Sequence, residues 1–268
     1  MDCCEDLVRY LSYGMILTAV GHLVHHKKTQ TSYGRHMGLP LAERMVPAAV
    51  AWFLQELPAL LIPFLLLFAS QKPSSMGRNL LLGTFCLHYF QRTFVYSLLT
   101  RGRPFPLGVM AAGGFFCTLN GSLQGHYLLH CAHFDEDWSS DYRFKIGLLM
   151  FYAGMAINIY SDCILRNLRD QGEVVYRIPK GGLFEYVSGA NYFGEIVEWF
   201  GFAVVTWSLP ALAFALFSLS FIGPRAYYHH RYIILSCPVT FFYIIIQFYK
   251  ENFKDYPKLR KALIPFIF

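Results

Sequence analysis

The sequence predicts an all-α, polytopic membrane protein, a bundle of seven transmembrane helices that leaves little chain for a soluble domain. Three observations carry that expectation. The 268 residues are 55% hydrophobic and only 15% charged, with a mean hydropathy of +0.35, which is not the balance of an ordinary soluble domain. Apolar runs near the ~20 residues that cross a bilayer occur at Leu7–His25, Val46–Ala69, Asn79–Leu99, Phe105–Cys131, Phe144–Leu165 and Val187–Ile222. The last run is too long for one straight crossing and is interrupted at 207–210, WSLP, so it reads as a helical hairpin and brings the count to seven. Finally, Lys and Arg alternate between the two sides. Seventeen fall on one side, five on the other, and Arg92 lies within a span, which by the positive-inside rule puts the carboxyl terminus in the cytosol and the amino terminus in the lumen.

The first span is expected to be retained as an anchor, because MDCCEDL has neither a basic n-region nor a small-residue cleavage site. Seven scattered cysteines without CxxC spacing imply no disulfide framework and no zinc site. The histidines His22, His25 and His26, and His126, His130 and His133, have the look of iron-ligand clusters. Topology puts the two groups on opposite sides of the bilayer, so they read as interfacial or core residues and no metal is expected. The second span, VPAAVAWFLQELPALLIPFLLLFA, carries Trp52, Gln55 and Glu56 on one helical face with Ala59 and Pro63. An acid at mid-membrane costs roughly 2.5 to 3.5 kcal/mol on insertion scales, so it marks a site facing the bundle interior. The third span sets Tyr89, Arg92 and Tyr96 at i, i+3 and i+7, a second polar face.

The Gly-rich fourth span, AAGGFFCTLNGSLQG, reads as close helix packing. In the fifth, Asn158, Asp162, Arg166 and Arg169 form a stripe toward the cytosolic surface, the shape of a channel for an anionic ligand. The following loop adds Tyr176, Arg177 and Lys180 and re-enters the membrane with Asn191, Glu195 and Trp199 at intervals of four. No GxGxxG after a strand and no GxxxxGK[ST] exists, so a nucleotide would have to be held by helix side chains. The net charge of +6 is accounted for by the cytosolic basic residues and calls for no nucleic-acid partner; no obligate protein partner is evident either. The apolar stretch 232–247 is nearly long enough to span. An eighth crossing would carry the basic tail into the lumen, so this stretch is expected to prolong or loop off the seventh helix at the cytosolic interface.

The segments AWFLQELP, LHYFQRTFVYSLLTRGRP, INIYSDCILRNLR, YRIPKGGLFEYVSGANYFGEIVEW and KDYPKLRKALIPFIF, in that order, resemble the steroid 5α-reductase (3-oxo-5α-steroid 4-dehydrogenase) family, above all its vertebrate type 2 branch. The resemblance covers nearly the whole chain. It implies a single seven-helix membrane reductase domain, residues 1–268, in the endoplasmic reticulum membrane, with NADPH bound from the cytosolic side. It also implies a lipophilic 3-oxo-Δ4 steroid entering from the bilayer. Its steroid-polarising pair falls on Glu56 and Tyr89, and its pocket walls on Trp52, Phe116, Phe217 and Phe221. Its cofactor residues fall on Tyr96, Arg103, Asn158, Asp162, Arg169, Tyr176, Arg177, Asn191, Glu195, His229 and Tyr249. Two departures stand out: Ala112 replaces an arginine near the steroid, and residues 232–247 are an insert between His229 and Tyr249.

Residues and resemblance agree on a chemistry. A hydride passes to the steroid C5 while negative charge develops on the C3 oxygen, and Tyr89, hydrogen-bonded to Glu56, is expected to donate to that oxygen. An 18% aromatic content suits a flat apolar ligand. Another membrane sterol reductase or a methyltransferase with a nucleotide-like cofactor would share the cytosolic polar cluster but give Glu56 and Tyr89 no role. A seven-helix lipid-binding protein would use the pocket without chemistry.

Overall fold

The computed structural model describes residues 3–26, 44–70, 75–134, 138–168, 178–235 and 260–265, the stretch 227–235 by backbone alone. Among these residues the chain forms seven helical rods. They are α1 (Glu5–His26), α2 (Ala48–Ala69), α3 (Met76–Phe90, running through a π-helical segment Gln91–Tyr96 into Ser97–Leu99), α4 (Leu107–His126, extended as a π-helix over Tyr127–Cys131), α5 (Tyr142–Asn167), α6 (Ala190–Thr206) and α7 (Leu209–Leu235). The helices α1, α2, α5 and α7 are long and apolar enough to cross a membrane by length and composition. A short β ladder, Met45–Val46 paired antiparallel with Phe105–Pro106, ties the start of α2 to the start of α4.

The break expected at 207–210 is observed, and its chemistry is local. Trp207 takes the left-handed conformation, φ 45° and ψ 47°, and its N–H bonds the Ala203 carbonyl to close α6. Ser208 then opens α7: its hydroxyl accepts from the Ala211 N–H at 3.4 Å, and Pro210 occupies the first turn, where its missing N–H costs nothing. At the start of α5 the Asp141 side chain accepts from the Arg143 N–H at 2.8 Å, and the Arg143 guanidinium holds that carboxyl below its usual range.

Small residues decide which rods touch. Gly147 and Gly154 on α5 face Gly194 and Gly201 on α6 so closely that a Cβ on Gly194 would sit 2.5 Å from the Asn158 nitrogen, and one on Gly201 2.5 Å from the Phe151 nitrogen. Such backbone-to-backbone contact is the usual route to tight helix association where neighbours are equally apolar. The Gly-rich α4 packs on α2 in the same way: a Cβ on Gly121 would lie 2.8 Å from the Ala59 Cα, and one on Gly125 3.2 Å from the Pro63 Cα. Around these seams Phe85, Phe151, Trp199 and Phe202 fill the core at ring-centroid separations of 5.7 to 6.2 Å.

Two long-range ties fix the ends. A Cys3–Cys131 disulfide joins the amino terminus to the end of α4, which corrects the expectation that the cysteines form no bridge; sequence spacing carries no trace of a pairing across 128 residues. At the opposite end, Lys261 bridges to Val187, and Ser188 and Gly189 donate to the Lys261 and Ala262 carbonyls at 2.8 and 3.0 Å. The tail therefore returns to the α5–α6 connection. Of the stretch 232–247, expected to be an insert, residues 232–235 prolong α7, and the remainder lies outside the described residues.

Candidate active site

The helices enclose a cavity of about 860 Å³ whose lining draws on α1, α2, α3, α4, α6 and α7. Its apolar half is a ladder of flat rings: Phe116 stacks on Phe217 at 4.2 Å and 8°, Phe217 on Phe221 at 4.3 Å, and His22 on Phe221 at 3.6 Å. His22 is fixed there because its Nδ1 lies 2.9 Å from the Ser220 carbonyl, so it serves packing between α1 and α7. Ala112 also lines the cavity.

The other half is ionic. Glu56, buried on α2 by the helical register that also buries Gln55, Ala59 and Pro63, places Oε1 3.9 Å from Arg92 Nε, and its Oε2 accepts from the Cys117 thiol at 3.7 Å. Arg92 reaches Asp162 Oδ2 at 3.4 Å and stands over the rings of Trp52 and Tyr96 at 4.7 and 4.0 Å. Two carboxyl groups and two aromatic faces thus compensate one buried guanidinium. The network continues across the glycine seam: Asn191 Nδ2 donates to Asp162 Oδ1 at 3.1 Å, and Asn158 Nδ2 donates to the Asn191 carbonyl at 3.0 Å. Glu195, one residue past Gly194, lines the cavity from α6.

Tyr89 sits at the junction of the two halves, buried against Phe85 and Trp199. Here the geometry corrects the sequence reading, because no Tyr89–Glu56 hydrogen bond is present among the described residues. Asn120 Nδ2 instead donates to the Tyr89 hydroxyl at 3.1 Å, and Gln124 holds that amide by donating to Asn120 Oδ1 at 3.2 Å and to the Pro210 carbonyl at 2.9 Å. The hydroxyl oxygen is occupied as an acceptor, which leaves its own proton to be donated into the cavity. Arg92, one turn further along α3, and Cys117 on α4 take the place on Glu56 that Tyr89 was expected to hold.

The structure therefore gathers Trp52, Glu56, Tyr89, Phe116, Phe217, Phe221 and Glu195 around one cavity and joins Tyr96, Asn158, Asp162 and Asn191 to it through Arg92. Arg103 is exposed on the α3–α4 connection. Arg169, Tyr176, Arg177 and Tyr249, and the side chain of His229, lie outside the described residues. Sequence reasoning missed Asn120 and Gln124, four residues apart in a helix read as glycine packing. It also missed His88 and the wholly buried Glu198, which contact each other at 2.7 Å. A second acid three residues after Glu195 in an apolar span was the available signal.

A bundle of apolar helices surrounds a cavity that is aromatic at one end and ionic at the other, which suits a lipophilic ligand with a polar end. Similarity to known proteins makes the class specific. Residues 103–268 match the family model described as 3-oxo-5-alpha-steroid 4-dehydrogenase. The chain is 54% identical over 255 residues to the human 3-oxo-5-alpha-steroid 4-dehydrogenase 2, covering 94% of each chain. It is 50% identical over 268 residues to the mouse 3-oxo-5-alpha-steroid 4-dehydrogenase 2, covering 97% of each, and 42% identical to the human 3-oxo-5-alpha-steroid 4-dehydrogenase 1 over 98% of this chain and 96% of that one. The chain belongs to the 3-oxo-5-alpha-steroid 4-dehydrogenase family.

Proposed function

We propose that the protein reduces the C4–C5 double bond of 3-oxo-Δ4 steroids of the testosterone and progesterone type to 5α-reduced 3-oxo steroids, with NADPH as reductant. The observation that carries this reading is the Tyr89 hydroxyl, held by Asn120 with its proton free for the cavity, where the aromatic ladder meets Glu56 and Arg92. A flat apolar ligand lies along Phe116, Phe217 and Phe221 with its ketone toward Tyr89. Tyr89 then donates to the C3 oxygen, and the enolate charge that develops there finds a preorganised donor. Glu56, held between Cys117 and Arg92, keeps the polar end from collapsing on the ligand and supports the same carbonyl.

The donor set of the ionic half fits the nicotinamide end of a dinucleotide. Asn158, Asp162 and Asn191 form a hydrogen-bonded set of amide and carboxyl groups, Tyr96 offers a ring face, and Glu195 lines the cavity. The bound cofactor would supply the hydride for C5. Arg169, Arg177 and Lys180 are the side chains assigned to its adenosine 2′-phosphate, with Arg103, His229 and Tyr249 as further cofactor residues; charge-assisted bonds there, about 1.5 to 3 kcal/mol each, would favour NADPH over NADH.

All seven rods cross the endoplasmic reticulum membrane in this reading, with the amino terminus lumenal. The Cys3–Cys131 disulfide supports that side for the amino terminus, since disulfides persist in the oxidising lumen. The tail at the α5–α6 connection is then cytosolic, beside the cofactor entrance. Membranes containing the protein, incubated with NADPH and a radiolabelled 3-oxo-Δ4 steroid, are expected to yield the 5α-reduced ketone; folded protein that gives no such product overturns the assignment.

A further inference from the structure

Reduction of a C4–C5 double bond needs a proton at C4 as well as a hydride at C5, and the roles given so far leave that proton without a source, since Glu195, which also lines the cavity, is assigned to the cofactor. Tyr89 serves the oxygen, and Glu56 is held by Arg92 and Cys117. We propose that His88, held by Glu198, is the residue that delivers the proton to C4, an assignment that rests on the function proposed above.

Glu198 is wholly buried on α6, with Oε1 2.7 Å from His88 Nδ1 and Oε2 without any hydrogen-bond partner among the described residues. A buried acid with an orphaned oxygen is expensive, and such groups in apolar helices mark function more often than packing. The carboxyl aims the imidazole much as a carboxylate orients a catalytic histidine, while the ring itself lines the cavity. Its centroid is 5.1 Å from that of Tyr89 and 4.4 Å from that of Trp199, which walls it in on the far side. C4 is bonded to the carbonyl carbon whose oxygen Tyr89 takes. A donor for C4 must therefore stand beside Tyr89 on the cavity wall, and His88 does.

The step balances. As hydride and its electron pair bond to C5, the C4–C5 π pair moves to C3–C4 and the carbonyl pair to oxygen. The ketone then re-forms, and the C3–C4 pair takes the proton from His88 Nε2, whose N–H electrons stay on nitrogen. The pair holds one transferable proton wherever along the 2.7 Å contact it rests, so after the transfer His88 is neutral and Glu198 is a carboxylate. A water molecule returns the proton once the product has left.

The reverse of this half-step can be measured without turnover. Wild-type protein given a 5α-reduced 3-oxo steroid and NADP⁺ in deuterated buffer is expected to place one deuterium stereoselectively at C4, read by mass spectrometry and NMR. H88Q and E198Q are each expected to slow that exchange and steroid reduction by roughly 10²- to 10⁴-fold, the range for a lost positioned acid, with steroid affinity retained. A wild-type protein that reduces the steroid but exchanges nothing at C4, or either variant exchanging at the wild-type rate, overturns the role of His88. Exchange in wild type shows that an acid serves C4; the two variants, on different helices, assign it to His88, so one that fails to fold leaves the other to decide. Absence of NADPH-dependent reduction in wild type refutes the proposed function instead, while loss of C4 exchange in a folded variant still reports on His88.

Discussion

Replacing Gly194 by alanine should damage this protein more than any cavity-lining substitution of similar size, and the seam between α5 and α6 sets the magnitude. The added Cβ would lie 2.5 Å from the Asn158 nitrogen and 2.7 Å from the Gly154 carbonyl oxygen. Non-bonded heavy atoms prefer about 3.5 Å or more, so α6 must withdraw by about 1 Å, because the obstacle is backbone and cannot rotate away. Overpacking of this kind costs about 1–3 kcal/mol. The same withdrawal stretches the Asn191–Asp162 and Asn158–Asn191 bonds from 3.1 and 3.0 Å to about 4 Å, past hydrogen-bond range. It also moves Glu195 relative to the cavity, and a displacement of about 1 Å in a catalytic site can cost roughly 10²-fold in rate. Thermal unfolding of the detergent-solubilised protein and NADPH-dependent turnover measure both effects. Gly83→Ala on α3 is the control, because a Cβ there meets nothing within 4 Å; relief of glycine's chain entropy should stabilise it by about 0.4–1 kcal/mol. If Gly194→Ala melts and turns over like Gly83→Ala, the account of the seam is wrong.

Glu56→Gln and Tyr89→Phe are each expected to lower turnover by roughly 10²- to 10⁴-fold with cofactor affinity little changed, and near-normal rates in either folded variant would remove that residue from the chemistry. Asn120→Ala should cost about 0.5–1.5 kcal/mol of activation free energy, the worth of one hydrogen bond. Because it acts through Tyr89, the Asn120→Ala/Tyr89→Phe double variant should turn over no more slowly than Tyr89→Phe alone; additive losses would show that Asn120 acts independently. Cys3→Ser should lower stability by about 2–4 kcal/mol in a non-reducing melt, and an unchanged melting temperature would mean that the bridge does not constrain the chain.

The sequence by itself determined the helices, their number and their polar faces, because apolar length and the period of Gln55, Glu56, Tyr89 and Arg92 are properties of single segments. The hairpin break at WSLP was legible for the same reason. Order along the chain also sufficed to recognise the family from five motifs. What sequence could not supply was which polar side chains meet. That Glu56 faces Arg92 and Cys117, that Asn120 rather than Glu56 bonds Tyr89, and that His88 finds Glu198 depend on the rotation and separation of rods far apart in the chain. Those quantities are set by where glycine backbones allow contact, Gly121 against Ala59 and Gly194 against Asn158, and by the Cys3–Cys131 tie. Helical periodicity gives each residue an angle about its own axis, but a partner is chosen only when two helices pack at about 8–10 Å between axes with those side chains facing each other, and that is a decision of tertiary packing.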